Sequence, residues 1–167
     1  MGCGGQGDML TWLMIDHALP GRRGSKPTRP AAVAKTQPAE GTPGRPRILV
    51  VEDDFFVSLE MEAALRDAGF EVIGPANTAE EAERYASEQR PDLAVMDIRL
   101  LSRRDGVEAA LTIFRCTGIR SIFATAHDDP HTRARAAGAK PLGWIAKPYP
   151  MDGLVTLVRQ ALKEAKN

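Results

Sequence analysis

Cysteine is close to absent: Cys3 and Cys116 are the two present in 167 residues. They are too few and too far apart for a disulfide framework or a zinc knuckle, which points to a reducing, cytoplasmic setting. Neither sign of charge dominates, with 22 basic against 22 acidic side chains. A basic coat for nucleic acid is thereby excluded, and no nucleic-acid partner is expected. Long apolar runs are missing too. The longest near the N-terminus, Met9 to Ile15, has seven residues with Thr11 inside it, well short of the ~18 that a membrane span needs. No secretory signal follows it. There is no Walker-type phosphate loop, and no G-x-G-x-x-G follows an apolar run, so nucleotide binding is not expected. What is present is a 43% hydrophobic composition, enough for one domain of about 100 to 150 residues plus a remainder.

The even charge balance hides a split. Residues 1–46 hold six basic side chains against Asp8, Asp16 and Glu40, and residues 47–167 hold 16 against 19, so the first part is about +3 and the second about −3. The first part also takes 8 of the 15 glycines and 6 of the 12 prolines. From Pro20 to Pro46 it shows no apolar periodicity, so residues 1–46 are expected to be a disordered leader. Within it, Asp8 could cap a short helix carrying Met9, Trp12, Leu13 and Ile15; a loose segment is the reading favoured.

From Arg47 onward, short apolar runs alternate with helical patterns. The runs are ILVV (48–51), VIG (72–74), LAVM (93–96), IFA (122–124) and WIA (144–146). Continuous rather than alternating apolarity predicts strands covered on both faces, as in a parallel sheet between helices. The first helical segment carries Val57, Met61, Ala64, Leu65 and Ala68 on one stripe and ends at Gly69. The second opens with Thr78 and Glu81, and the third with Asp105 and Glu108, both in capping-box spacing. The third buries Val107, Ala110, Leu111 and Phe114 and stops before Gly118. The fourth, around Thr132 to Ala137, is the weakest, and the fifth carries Leu154, Leu157, Val158, Ala161 and Leu162. Five βα repeats predict an α/β fold with a doubly wound, five-stranded parallel sheet.

Open α/β sheets place their sites beyond the carboxyl ends of the strands. The first strand ends in Glu52, Asp53 and Asp54, the third in Asp97, the fourth in Thr125 and the fifth in Lys147. If the first and third strands are neighbours, as in a flavodoxin-like 2-1-3-4-5 order, the carboxylates converge with a hydroxyl and an ammonium. Such a cluster repels itself unless a cation sits in it, and hard oxygen ligands suit Mg²⁺, which completes its shell with water and phosphate oxygens. A lysine and a hydroxyl opposite the carboxylates would receive a phosphoryl group, and a carboxylate could act as nucleophile to form an acyl phosphate. Taken alone, Glu52, Asp53 and Asp54 would read as acids at a helix start. The other three strand ends favour the site.

Four separated motifs, RILVVEDD (47–54), LAVMDIRL (93–100), IFATA (122–126) and WIAKP (144–148), together resemble the response-regulator receiver domain of two-component signalling, over residues 47–165. The resemblance implies that Asp97 is the phosphoacceptor and that Mg²⁺ is bound by Asp53 directly, by Glu52 through water, by Asp97 and by the carbonyl of Arg99. It further implies that Thr125 and Lys147 contact the phosphoryl group, that Thr125 and Trp144 form the switch, and that the Lys147–Pro148 peptide is cis. Arg99 and His127, each two residues beyond a site residue, would tune phosphoryl lifetime. Three features depart from the common pattern: IRLLSRRDG after Asp97 lacks Met-Pro and is one residue longer, Trp144 is bulkier than the usual Tyr or Phe, and His127 follows Thr125-Ala126.

The spacing of His127 and His131 around Asp128 is a faint likeness to a zinc motif, but Pro130 breaks any helix there, so a solvated loop is expected. Arg133, Arg135 and Lys140 read as a solvated face of the fourth helix, a docking face in the resembled family. The expectation is a stand-alone receiver, a signalling phosphoacceptor rather than an enzyme. Its donor would be a histidine kinase or histidine phosphotransfer protein, and its output a changed partner affinity at the face of helix 4, strand 5 and helix 5. The alternative is a phosphotransfer intermediate or phosphate sink in a phosphorelay.

Overall fold

The computed structural model describes residues 44–126 and 129–165. The leader reading of residues 1–46, apart from its last three residues, and with it both readings of the segment from Met9 to Ile15, lie outside them. Five strands, β1 (Arg47–Val51), β2 (Glu71–Ala76), β3 (Leu93–Met96), β4 (Ser121–Thr125) and β5 (Gly143–Ala146), alternate with α1 (Phe55–Asp67), α2 (Ala79–Gln89), α3 (Gly106–Thr117), α4 (Pro130–Ala136) and α5 (Met151–Ala165). The sheet is wholly parallel, as the run of βα repeats implies, and its order is β2-β1-β3-β4-β5, the flavodoxin-like arrangement expected. The apolar runs of β1, β3 and β4 are buried because successive side chains point to opposite faces, both of which are covered, whereas those of the edge strands β2 and β5 are only partly buried. Leu49, Val51, Met96 and Phe123 pack with Ala82 and Ala86 of α2 and Ala110 and Ile113 of α3. Ile48, Val50, Val95 and Ile122 pack with Met61 and Leu65 of α1 and Leu154 and Val158 of α5. Each of the larger of these side chains, once fully buried, contributes about 1.5–3 kcal/mol.

The helix starts follow the local chemistry. Asp54 caps α1, its carboxylate accepting from the N–H groups of Phe56 and Val57. Asp105 and Glu108 form the full capping box of α3, which ends at Gly118 with φ +78°, a conformation glycine adopts without strain. At α2, Thr78 accepts from the Glu81 N–H as expected, but Glu81 reaches back to the N–H of Asn77 rather than that of Thr78. The fourth helix starts at Pro130, two residues earlier than the apolar spacing suggests, because proline in a first turn has no N–H to lose. Strand β2 passes through Gly74, at φ +105°, where a Cβ would lie 2.7 Å from the Val50 carbonyl oxygen. On α3, Leu111 and Phe114 are half-buried, and Ala109 and Ile113 take the deeper places.

Candidate functional site

The parallel register brings four strand ends to one edge of the sheet. Main-chain bonds extend the ladder past the strands: Glu52 N–H to the Ala76 carbonyl at 2.9 Å, Asp97 N–H to that of Val51 at 2.9 Å, and Lys147 N–H to that of Thr125 at 3.0 Å. These bonds fix where each side chain begins. The Lys147 ammonium then donates to Glu52 Oε2 at 2.5 Å and to Asp97 Oδ2 at 2.7 Å. The other oxygen of Asp97 accepts from the backbone N–H groups of Ile98 at 2.6 Å and Arg99 at 3.3 Å. Glu52 Oε1 accepts more weakly from the Asp54 N–H, at 3.3 Å. Glu52, Asp97 and Thr125 are buried, and Asp53 is half-buried.

Burial pushes the Glu52 carboxyl above its ordinary value; the hydrogen bond from Lys147 opposes the rise and the negative charge of Asp97 adds to it. For Lys147, burial is the largest single effect and lowers its value. The hydrogen bonds and charges of Asp97 and Glu52 together outweigh it, and the net direction is up. The two directions conflict in part, since a charged Lys147 favours a charged Glu52. Lys147 is the firmer of the two, because it has two carboxylate partners and stays an ammonium whichever of them holds a proton. Carboxylate oxygens of Glu52, Asp53 and Asp97 lie within 4.8 Å of one another. With Lys147 as their ammonium partner, three carboxylates against one cation leave a formal charge of −2. An oxygen-only cluster of that charge could hold a hard divalent ion such as Mg²⁺.

The structure therefore brings together Glu52, Asp53, Asp97 and Lys147, four of the residues picked out in the sequence. Thr125 ends β4, one strand over, and its carbonyl is bonded to Lys147. Asp54, next to Glu52 and Asp53 in the chain, serves as the α1 cap. Trp144 is half-buried and stacks on Phe123, with ring centroids 4.5 Å apart and planes at 26°, while the Arg133 guanidinium lies 4.9 Å above its ring. The side chain of Arg99 is exposed. His127 and Asp128 lie outside the described residues, and with His127 goes the expected lifetime-tuning role and the zinc-like spacing with His131. The Lys147–Pro148 peptide is cis.

Two neighbours of the site were not picked out in the sequence. Gly106 opens α3 directly against the phosphoacceptor candidate: a Cβ there would lie 1.8 Å from the Asp97 carbonyl oxygen. A glycine following an N-cap is the one local hint of such an approach. Tyr149 lies beside Lys147 in a groove of about 330 Å³ lined also by Val57, Glu60 and Met151. Burial raises its phenol to about 12, and its hydroxyl is buried without a hydrogen-bond partner.

With this geometry in view, the chain can be set beside known proteins. Residues 48–159 match the profile of the response regulator receiver domain. The transcriptional regulatory protein PdtaR of Mycobacterium tuberculosis is 33% identical over 118 residues, covering 70% of this chain and 56% of that protein. The phyllosphere-induced regulator PhyR of Methylorubrum extorquens is 33% identical over 116 residues, covering 69% of this chain and 43% of that protein. The chain thus spans about half the length of the curated relatives it matches. Among solved structures, the signal receiver domain of a modulated diguanylate cyclase from Desulfovibrio desulfuricans G20 superposes with a TM-score of 0.68 at 34% identity, covering 73% of this chain and 97% of that one. A receiver domain protein from Methanospirillum hungatei JF-1 also gives 0.68, at 25% identity and with the same coverages, 73% and 97%. Among the described residues, no helix is long and apolar enough to cross a membrane.

Proposed function

Because the chain belongs to the response regulator receiver domain family, we propose that it accepts a phosphoryl group on Asp97 from a histidine kinase or histidine phosphotransfer protein and answers by changing the affinity of the α4, β5, α5 face for a protein partner. The observation that carries this reading is the ammonium of Lys147 shared between Glu52 and Asp97, with Asp53 completing the carboxylate cluster. Oδ1 of Asp97 is held by two backbone N–H groups, and Oδ2 faces the lysine. Attack from Oδ2 on the donor's phosphorus forms the O–P bond. The donor's P–N bond breaks, and the imidazole nitrogen leaves with the electron pair and takes up a proton. Glu52, Asp53, Asp97 and the carbonyl of Arg99 would hold Mg²⁺, whose chemistry there is to offset the charge of the phosphoryl oxygens.

The chain's own groups do the rest. Lys147 turns part of its hydrogen bonding from the carboxylates to the new dianion, and the Thr125 hydroxyl donates to one of its oxygens. Movement of Thr125 opens or closes space beside β5, where Trp144 sits half-buried on Phe123, and this biases a two-state element at the α4, β5, α5 face. Arg99, whose backbone N–H bonds Asp97 and whose side chain is exposed, would tune how fast water removes the group. The test is intact-protein mass after incubation with acetyl phosphate and Mg²⁺. One phosphoryl adduct is expected in the wild type, none in Asp97→Asn and none without Mg²⁺. An adduct that persists in Asp97→Asn would overturn the assignment.

A further inference from the structure

The phosphoacceptor strand and α4 are joined by a short chain of contacts that does not pass through Thr125 or Trp144. Gly106 presses on Asp97 so closely that a Cβ would meet its carbonyl oxygen at 1.8 Å, and the Gly106 N–H donates to the Ile98 carbonyl at 2.8 Å. Main chain at 105–106 is therefore unable to stay in place if main chain at 97–98 moves. Asp105, the preceding residue, uses one oxygen to cap α3, accepting from the Glu108 N–H at 3.0 Å. Its other oxygen receives Arg135 of α4 at 2.6 Å. Beside this pair a cavity of about 430 Å³ opens between the β3–α3 loop and α4, with Asp105, Thr132 and Arg135 in its wall. On that side α4 has room to shift. It is seven residues long, and it also carries the Arg133 guanidinium that covers Trp144.

We propose that the Asp105–Arg135 ion pair is a latch that ties α4 to the phosphoacceptor strand while Asp97 is unmodified, and that it opens when Asp97 is phosphorylated. This rests on the reading of Asp97 given above. A dianion at Asp97 displaces the main chain at its base, the displacement passes through Gly106 without an intervening side chain, and Asp105 is drawn from Arg135. Both side chains are about one-third exposed, 39% and 30%. A pair that wet is weak enough to break on a small displacement, which suits a switch better than a buried one. Whatever holds the resting form opposes the phosphoryl group by the same factor.

The latch is tested on the full chain with beryllofluoride and Mg²⁺ as the phosphoryl mimic. Affinity is read from Trp144 fluorescence in a Trp12→Phe background. Asp105→Asn keeps a capping oxygen for α3 while removing the charge, and Arg135→Gln leaves the cap untouched. Each is expected to tighten beryllofluoride binding about two- to five-fold, the range that a partly exposed pair supports. The double variant should gain no more than either single one, and Arg135→Lys should return toward wild type. Unchanged or weaker binding in Arg135→Gln, or gains that add in the double variant, would overturn the latch. Acetyl phosphate adducts measured in parallel separate the two readings. An adduct with unchanged affinities rejects the latch alone, whereas no adduct and no beryllofluoride response in wild type rejects the reading of Asp97 and the latch with it.

Discussion

Replacing Lys147 by methionine keeps most of the length of the side chain and removes the ammonium seen between Glu52 and Asp97. Taking one partner from a buried ion pair costs about 3–5 kcal/mol. Lys147 keeps 21% of its side chain accessible, and water entering there screens part of the exposed repulsion, so about 2–4 kcal/mol is expected at neutral pH without divalent cations. For a domain of this size that lowers Tm by roughly 8–15 °C. The cluster then goes from −2 to −3, so a divalent cation should bind more tightly and return more stability than it gives the wild type. The pH dependence has a definite sign. Burial already raises Glu52, and loss of the lysine hydrogen bond raises it further. A folded carboxyl raised above its unfolded value disfavours the fold as pH rises, so the deficit is absent below the ordinary value of 4.5 and grows as pH climbs through the folded value. The assay is urea unfolding followed by far-ultraviolet circular dichroism, in EDTA and in millimolar MgCl₂, from acid to neutral pH. If Lys147→Met matches the wild type in EDTA, or both gain equally from Mg²⁺, the electrostatic account of the site is wrong.

Other expectations follow from the same geometry. Gly106→Ala forces a Cβ to within 1.8 Å of the Asp97 carbonyl oxygen; overpacking of this kind costs about 1–3 kcal/mol. The acetyl phosphate adduct should fall with it, whereas Gly118→Ala, with nothing within 4 Å but a φ of +78°, should lose stability while keeping the adduct. Equal adduct yields in the two variants would show that Gly106 does not position Asp97. Tyr149 should titrate near 12 rather than the ordinary 10.0, as read from phenolate absorbance in a Tyr85→Phe background. Its raised value contributes stability that is present below 10.0 and lost as pH rises through about 12. A single transition near the ordinary value would mean that the phenol is not desolvated.

Much of this protein is written locally. Continuous apolar runs at 48–51, 93–96 and 122–124 became strands because both faces of a parallel sheet are covered, and periodicity over a few residues is enough to say so. The caps at Asp54, Thr78 and Asp105 and the stop at Gly118 depend on atoms two to four residues away, and they too were readable or nearly so. The candidate cluster of Glu52, Asp53, Asp97 and Lys147 was legible because each lies just past an apolar run, and strand ends gather chemistry in this kind of fold. What the chain alone leaves open is which neighbour does what. Glu52 and Asp54 are two residues apart and both are carboxylic acids, yet one is buried against a lysine 95 positions away and the other caps a helix. Only the β2-β1-β3-β4-β5 order decides this, since it brings Lys147 across the sheet edge to Glu52 and Asp97. The approach of Gly106 to Asp97, the buried phenol of Tyr149 and the Asp105–Arg135 pair are likewise products of packing between elements. No periodicity encodes them, because their partners are set by the distances between folded segments rather than by spacing along the chain.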